Sequence, residues 1–250
     1  MKYNLPLTLT LFTKEMSKNK YRYLNFYYWM RKLSFSSIFQ NNIFLSNNFK
    51  RKIIFHLIFK SYHWRDYHKT TTNVSASGLG SDLNVTKKLT EDLDIFLKNN
   101  HINSILDVAC GDFIWMNKIT SNNKNIKYLG LEIVKKIVKN NNETFSNNNI
   151  KFKCSDVIND ELPQSYDFVI VRDFLIHIRN IDIINLIEKI KKSNCKYFAI
   201  NNFPNIKSNK EIKGYGHHRY VNIEISPFNL TNVYKVIDDH DRKLNIYKIK

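Results

Sequence analysis

From residue 82 onward the sequence alternates between apolar runs of five or six residues and longer segments whose apolar side chains recur every three or four positions. The short runs, Ser104 to Ala109, Ile126 to Leu131, Ile150 to Cys154, Tyr166 to Val171 and Lys196 to Ile200, are apolar enough to be strands covered on both faces. Val85, Leu89, Leu93, Phe96 and Leu97 follow Ser81, a residue type that caps helices, and predict a helix over 82–98. Ile133 with Ile137 and Val134 with Val138 stand at i, i+4 spacing. Ile183, Ile184, Ile187 and Ile190 form a stripe behind Asn180 and Asp182, so both segments read as amphipathic helices. Strands alternating with helices predict an α/β, doubly wound, mostly parallel sheet with right-handed crossovers. Val233 to Ile237 and Leu244 to Ile249, joined by a polar turn at 238–241, break the rhythm. They predict a closing antiparallel hairpin, which brings the sheet to seven strands.

The front of the chain is of another kind. Residues 1–70 hold 13 of the 39 Lys and Arg but only Glu15 and Asp66 of the 22 acids, so they carry +11 of the formal +17. They also hold 17 of the 34 aromatics, among them Tyr21, Tyr23, Phe26, Tyr27, Tyr28 and Trp29. This shift predicts a basic helical N-terminal extension over 1–70 and an α/β domain over 71–250. Lys50, Arg51 and Lys52 sit among Phe49, Ile53, Ile54, Phe55 and Phe59. Residues 1–65 therefore suit an anionic membrane surface, a nucleic acid held through phosphates and stacked bases, or a cap packed on its own domain with a solvated basic face.

No run approaches the roughly 18 uninterrupted apolar residues of a spanning helix, which excludes a membrane-embedded transporter. The opening apolar stretch is cut by threonines and lacks a small-residue cleavage site, so it is not read as a leader. Cys110, Cys154 and Cys195 stand far apart without CxxC spacing, and neither a disulfide framework nor any metal site is expected. The expected setting is cytoplasmic, peripheral to a membrane if the extension docks there.

In an open α/β sheet, ligands lie beyond the carboxyl ends of the strands, and here those ends are acidic. Asp107 precedes the small-residue turn Ala109, Cys110, Gly111, Asp112; Glu132 ends the second strand, Asp156 follows the third, and Arg172 and Asp173 end the fourth with His177 beyond. A dinucleotide site would want three glycines and no carboxylates, because carboxylates repel a pyrophosphate. S-adenosylmethionine instead brings a sulfonium and an ammonium, with ribose hydroxyls that donate hydrogen bonds. Each acid alone reads as a solvated residue or a helix cap; three at successive strand ends do not.

The order Asp107 to Gly111, Glu132, Asp156 and the fourth-strand segment resembles a class I S-adenosylmethionine-dependent methyltransferase with a Rossmann-like fold. The strings SGLGSDLNVT, SILDVACGDFIWM, YLGLEIV and VRDFLIHI resemble a largely bacterial group with a CGDF-W-M core, over residues 64–250. The resemblance implies that Asp107, Ala109, Cys110 and Gly111 hold the methionine part of the cofactor, Glu132 with Ile133 the ribose, and Asp156 with Val157 the adenine. It adds Arg172, and Ser77 and Gly78 closing over the cofactor's carboxylate, where turn chemistry with Gly80 and Ser81 explains the same residues. Ala109 and Phe113 stand where the wider superfamily usually has glycine. Trp115 and Met116 read as packing between helix and sheet.

The acceptor is expected to be a small molecule or glycan, methylated at oxygen. Asp173 and His177, four residues apart on a helix, would face it, with His177 taking its proton while Asp173 orients the ring. A histidine that merely packs is the competing reading. His217, His218 and Arg219, in the loop KEIKGYGHHRY, would bind an anionic or hydroxylated substrate unless that loop is simply solvated. An RNA methyltransferase is the first rival, motivated by charge; against it, the fourth strand ends in Arg-Asp-Phe-Leu and not in an Asn-Pro-Pro-Tyr-like segment. A non-catalytic tethering module is the second, and the intact acid series argues against it.

Overall fold

The computed structural model of the chain describes residues 26–249 except residue 62 and residues 67–74. The apolar opening stretch with Tyr21 and Tyr23, and the expected division near residue 70, lie outside the described residues. Helices α1 (26–34), α2 (Ser37–Gln40), α3 (Asn47–Lys60) and α4 (His63–Asp66) come first. The α/β part runs α5 (Lys87–Asn99), β1 (Ser104–Val108), α6 (Ile114–Asn122), β2 (Lys127–Glu132), α7 (Lys135–Phe145), β3 (Ile150–Cys154), β4 (Phe168–Val171), α8 (Asn180–Lys192), β5 (Tyr197–Asn202), β6 (Lys235–Asp239) and β7 (Arg242–Lys248).

The seven strands lie in the order β3-β2-β1-β4-β5-β7-β6. The first five are parallel, and β7 runs antiparallel to both β5 and β6. β1 pairs with both β2 and β4, so the chain winds outward in two directions from the β1/β4 seam, and a crevice opens at their carboxyl ends. β4 is wholly apolar and buried, and β1 is buried from Ile105 on with Asp107 its one charged residue, because helices cover both faces. Leu89, Leu93, Phe96 and Met116 fill one face; Val169, Val171, Ile183 and Ile187 fill the other.

The helix expected over 82–98 begins later, at Lys87. Asp82 Oδ1 accepts the Asn84 N–H at 2.8 Å, and its carbonyl accepts the Thr86 N–H at 2.9 Å, so the side chain builds a turn that competes with helix at 82–86. Ser81 ends a short 3-10 turn, Leu79–Ser81, and caps nothing.

The N-terminal helices are built into the core. Ile54, Phe55 and Ile58 of α3 join the same cluster as β1, β4 and α8. Gly216 shows how close the approach is: its φ is +75°, and a Cβ there would lie 2.6 Å from Ile54 Cγ2. Gln40 clamps the same loop, its amide donating to the Tyr215 carbonyl at 3.3 Å and accepting the Tyr215 N–H at 3.1 Å. Among the described residues, no helix is long and apolar enough to cross a membrane.

Burial of Ile54, Phe55, Leu57 and Ile58 contributes roughly 1.5–3 kcal/mol each, which together is comparable with the whole stability of a typical domain, about 5–15 kcal/mol. A chain beginning at residue 62 is therefore expected to lose its cooperative thermal transition, monitored by circular dichroism. A cooperative melt within a few degrees of full length would show that the cap is dispensable.

Candidate functional site

A cavity of about 440 Å³ opens at the carboxyl ends of β1, β2 and β4. Its floor is the turn after β1, where Ala109, Gly111 and Phe113 all take φ near +60°. That conformation costs a non-glycine residue free energy, and the surroundings enforce it. Phe113 is fully buried against Tyr128, Phe145 and Phe152. Gly111 is required on steric grounds: a Cβ would lie 2.3 Å from Ser77 Oγ, which accepts the Asp112 N–H at 2.9 Å. Asn141, a buried polar residue inside α7, donates to the Gly111 carbonyl at 2.8 Å and holds the turn from the other side.

Of the five carboxylates that line the cavity, Asp241 lies in the hairpin turn, and the four from the strand ends each have different company. Asp107 accepts the Tyr128 hydroxyl at 2.8 Å, and burial pushes its pKa up to about 7, opposed by that hydrogen bond and by Arg172. Glu132 accepts the N–H groups of Val134 at 2.9 Å and Gly111 at 3.2 Å, tying the β1 turn to the start of α7; burial nevertheless raises its pKa. Asp156 is gripped by Arg51 of α3, whose Nη2 donates at 2.8 Å and whose Nε bridges both oxygens at 3.1 Å. Asp173, with φ of +57°, accepts Arg242 Nη2 at 2.6 Å on Oδ2, while its buried Oδ1 accepts no hydrogen bond from the described residues.

Arg172 is buried, bonded by two nitrogens to Asp239 at 2.8 and 2.9 Å, and its guanidinium lies 5.0 Å from the Trp115 ring. Asp239 also accepts Asn201 Nδ2 at 2.8 Å, and the attraction of Arg172 holds its pKa low against its own burial. Charges at the end of β4 and in the hairpin thus neutralise one another beside the cavity, with the Asn201 amide of β5 as a further donor.

The far wall is aromatic: Phe55, Phe59 and Trp64 from the cap meet Phe174, Phe203 and Tyr220. His177 stacks on Trp64 at 4.9 Å, and its Nδ1 lies 2.8 Å from the His217 carbonyl. A carbonyl can only accept, so Nδ1 carries the proton and Nε2 keeps its lone pair. Loss of water around the ring lowers its pKa to about 4, so it is neutral at physiological pH.

Most of the expected site residues converge here: Asp107, Ala109, Cys110, Gly111, Glu132, Ile133, Asp156, Val157, Arg172, Ser77, Asp173, His177 and His218 all line the cavity. Three do not. Gly78 turns away against Trp64, with φ of +97°. His217 packs on Phe35 at 4.8 Å, and its backbone carbonyl, not its ring, reaches the site. Arg219 is spent on structure, donating to the carbonyls of Lys210 and Leu175 and to Asn180 Oδ1. The expected pairing of Asp173 with His177 is also corrected. The chain from 173 to 177 is a left-handed residue followed by a 3-10 turn, Leu175–His177, and the ring is oriented by a carbonyl instead of a carboxylate. Sequence reasoning missed Arg51, Tyr128, Asp239 and Arg242, none of which carries a local signal; Arg51 is the middle one of three consecutive cations. Among the described residues, no three His, Cys, Asp or Glu side chains group as a metal site.

Residues 105–193 match the family model described as a methyltransferase domain. Among solved structures, the chain is similar to magnesium protoporphyrin IX methyltransferase from Synechocystis PCC 6803, solved with bound S-adenosylmethionine: 15% identity, 82% of this chain, 97% of that one, TM-score 0.54. It is similar also to PH0226 protein from Pyrococcus horikoshii OT3, at 12% identity over 74% of this chain and 99% of that one, TM-score 0.54. A third is N,N-8-amino-8-demethyl-D-riboflavin dimethyltransferase from Streptomyces davawensis, at 10% identity over 66% and 55%, TM-score 0.50. At these identities the likeness is one of fold, and the fold is that of the class I methyltransferases. No curated protein matches the chain.

The Arg51–Asp156 pair is almost wholly removed from water. Removing one partner of such a pair costs about 3–5 kcal/mol, because the other charge is left buried, whereas replacing both by apolar groups is close to neutral. Arg51→Met is expected to cost that much in urea denaturation, and Arg51→Met with Asp156→Leu to regain most of it. Equal loss in the single and double variants would refute the pairing as the cause.

Proposed function

We propose that the chain is an S-adenosylmethionine-dependent methyltransferase that acts on a hydroxyl of a small-molecule or glycan acceptor. One observation carries the reading: a single cavity runs from the carboxylates at the strand ends to an aromatic wall holding a neutral histidine. Its volume falls within the roughly 300–1,000 Å³ usual for small-ligand sites. The carboxylates suit a cationic nucleoside, and the close packing of Gly111 on Ser77 keeps side chains out of the turn that would receive it.

When bound, S-adenosylmethionine supplies a methyl group on a sulfonium, which is displaced in line. The residues present fit that cofactor. Asp107 would meet its positive end with the turn Ala109, Cys110 and Gly111, which Ser77 closes; Glu132 would use its remaining lone pairs on the ribose hydroxyls, and Ile133 and Val157 would hold the base. Asp156 contributes through a carboxylate already oriented by Arg51, and Arg172 balances the negative wall from behind.

On the acceptor side, the aromatic residues exclude water and align the nucleophile, the main source of acceleration in a displacement of this kind. Nε2 of His177 accepts the hydroxyl proton. A base of pKa about 4 is adequate, because the hydroxyl becomes strongly acidic as its oxygen takes up carbon, and such a base is wholly unprotonated at neutral pH. Asp173 Oδ1, buried without a partner, is placed to accept a second hydrogen bond. His218 and Tyr220, both exposed, stand at the rim.

Two outcomes are expected. Asp107 must lose its proton to oppose a cation, so S-adenosylmethionine should bind more tightly as pH rises through about 7, on the order of tenfold between pH 6 and pH 8, then level off. Asp107→Asn should bind weakly at both; calorimetry across this range decides it, and a flat profile for the wild type would remove Asp107 from the cofactor site. His177→Gln should keep cofactor affinity yet lose roughly 10²-fold in single-turnover methyl transfer to a hydroxylated acceptor. Unchanged turnover with a lowered melting temperature would make His177 a packing residue.

A further inference from the structure

We propose that the N-terminal cap is a docking surface for an anionic lipid bilayer. The residues from α1 to the start of α3 are two-sided. Phe35, Gln40, Lys50 and Arg51 point inward: Phe35 onto His217, Gln40 onto Tyr215, Lys50 Nζ to the Gln40 carbonyl at 2.8 Å and Arg51 onto Asp156. The other side is apolar and bare. Ile38, Ile43 and Phe44 are 83, 88 and 90% exposed, and Trp29, Leu33 and Phe49 of the same stretch are exposed too. Isolated exposed hydrophobics are ordinary, but six within 21 residues of chain, none covered by the described residues, mark an interaction surface.

Charge says what covers it. Residues 16–65 contain ten Lys and Arg and no acid. Lys32 and Lys52 are exposed, and Lys32 Nζ lies 4.7 and 5.3 Å from the centres of the Tyr28 and Trp29 rings. A second copy of the same surface would bring like charges together with no acids between them. Nucleic acid would meet the cations and stack on the aromatics, but it leaves branched aliphatics such as Ile38 and Ile43 in water. A bilayer with anionic headgroups satisfies both halves: phosphates meet Lys and Arg, Trp and Tyr sit at headgroup level, and the aliphatic side chains enter the acyl boundary. The surface is separate from the cavity, so the inference stands whether or not the acceptor assignment holds.

The test uses the full chain, sedimented with vesicles of phosphatidylcholine alone or with about one-third phosphatidylglycerol, at low and high salt. Wild type should bind the anionic vesicles at low salt, at least tenfold more than neutral ones, and salt should weaken the binding. Ile43→Ser with Phe44→Ser should weaken it on the order of tenfold or more, with melting temperature and S-adenosylmethionine affinity unchanged; Ile38→Ser serves if that variant fails to fold. Protein that stays in solution with anionic vesicles, or variants that bind as well as wild type, would overturn the proposal. So would retention on single-stranded RNA, or self-association, with no vesicle binding.

Discussion

A parallel sheet that ends four of its strand segments in carboxylates has to neutralise them in a place where water is scarce. An unpaired buried charge costs several kcal/mol, more than almost any single contact returns. The way each carboxylate is answered determines which parts of the chain must come together. Glu132 is answered locally, by the N–H groups that begin α7 and the β1 turn. Asp107 is answered from the neighbouring strand by Tyr128, and incompletely, so its pKa stays near neutrality. Asp156 and Asp173 draw cations from far along the chain, Arg51 at 105 residues' separation and Arg242 at 69, the latter joining the neighbouring Arg172 on Asp173.

Those two distant cations join the end pieces to the sheet. Arg51 carries α3 with it, and behind Arg51 come Ile54, Phe55 and Ile58, which close one face of the core. The network continues through Tyr215, whose hydroxyl accepts from Arg51 at 3.1 Å and donates to Asp182 at 2.9 Å, so α8 is tied to the same chain of charges. Arg242 acts likewise for the hairpin. With Asp239 at the other end of the same turn, it makes β6 and β7 part of the cavity wall as well as the edge of the sheet.

Features that depend on local pattern were legible in the sequence. Ile150 to Cys154 is a strand at the expected residues because Ile150, Phe152 and Cys154 alternate with two lysines, although as an edge strand it is largely exposed and not covered on both faces. The acid series was legible because each acid follows directly from its strand. The helix start at Lys87 was not, since Val85 fits the apolar period while Asp82 favours a turn, and the hydrogen bonds decide between them. The pairing of Asp173 with His177 failed for a related reason: i, i+4 spacing places two side chains together only on a helix, and here the backbone passes through φ of +57°. Arg51 and Asp156 were both visible as residues, but nothing local indicates that they meet.

The uneven distribution of charge acquires a physical meaning from this arrangement. Among the described residues, the cations of the cap serve two surfaces of one layer. Arg51, on the inner surface, is matched to a sheet whose ends are acidic, and that match is specific because burial makes any mismatch costly. On the outer surface Lys32 and Lys52 are exposed, so solvent and salt screen them and their cost to folding is small. The same composition therefore yields a rigid inner contact, which shapes the cavity, and a permissive outer one. A change in the outer side chains leaves the first undisturbed, because Ile43 and Phe44 touch neither Asp156 nor the apolar cluster around Ile54.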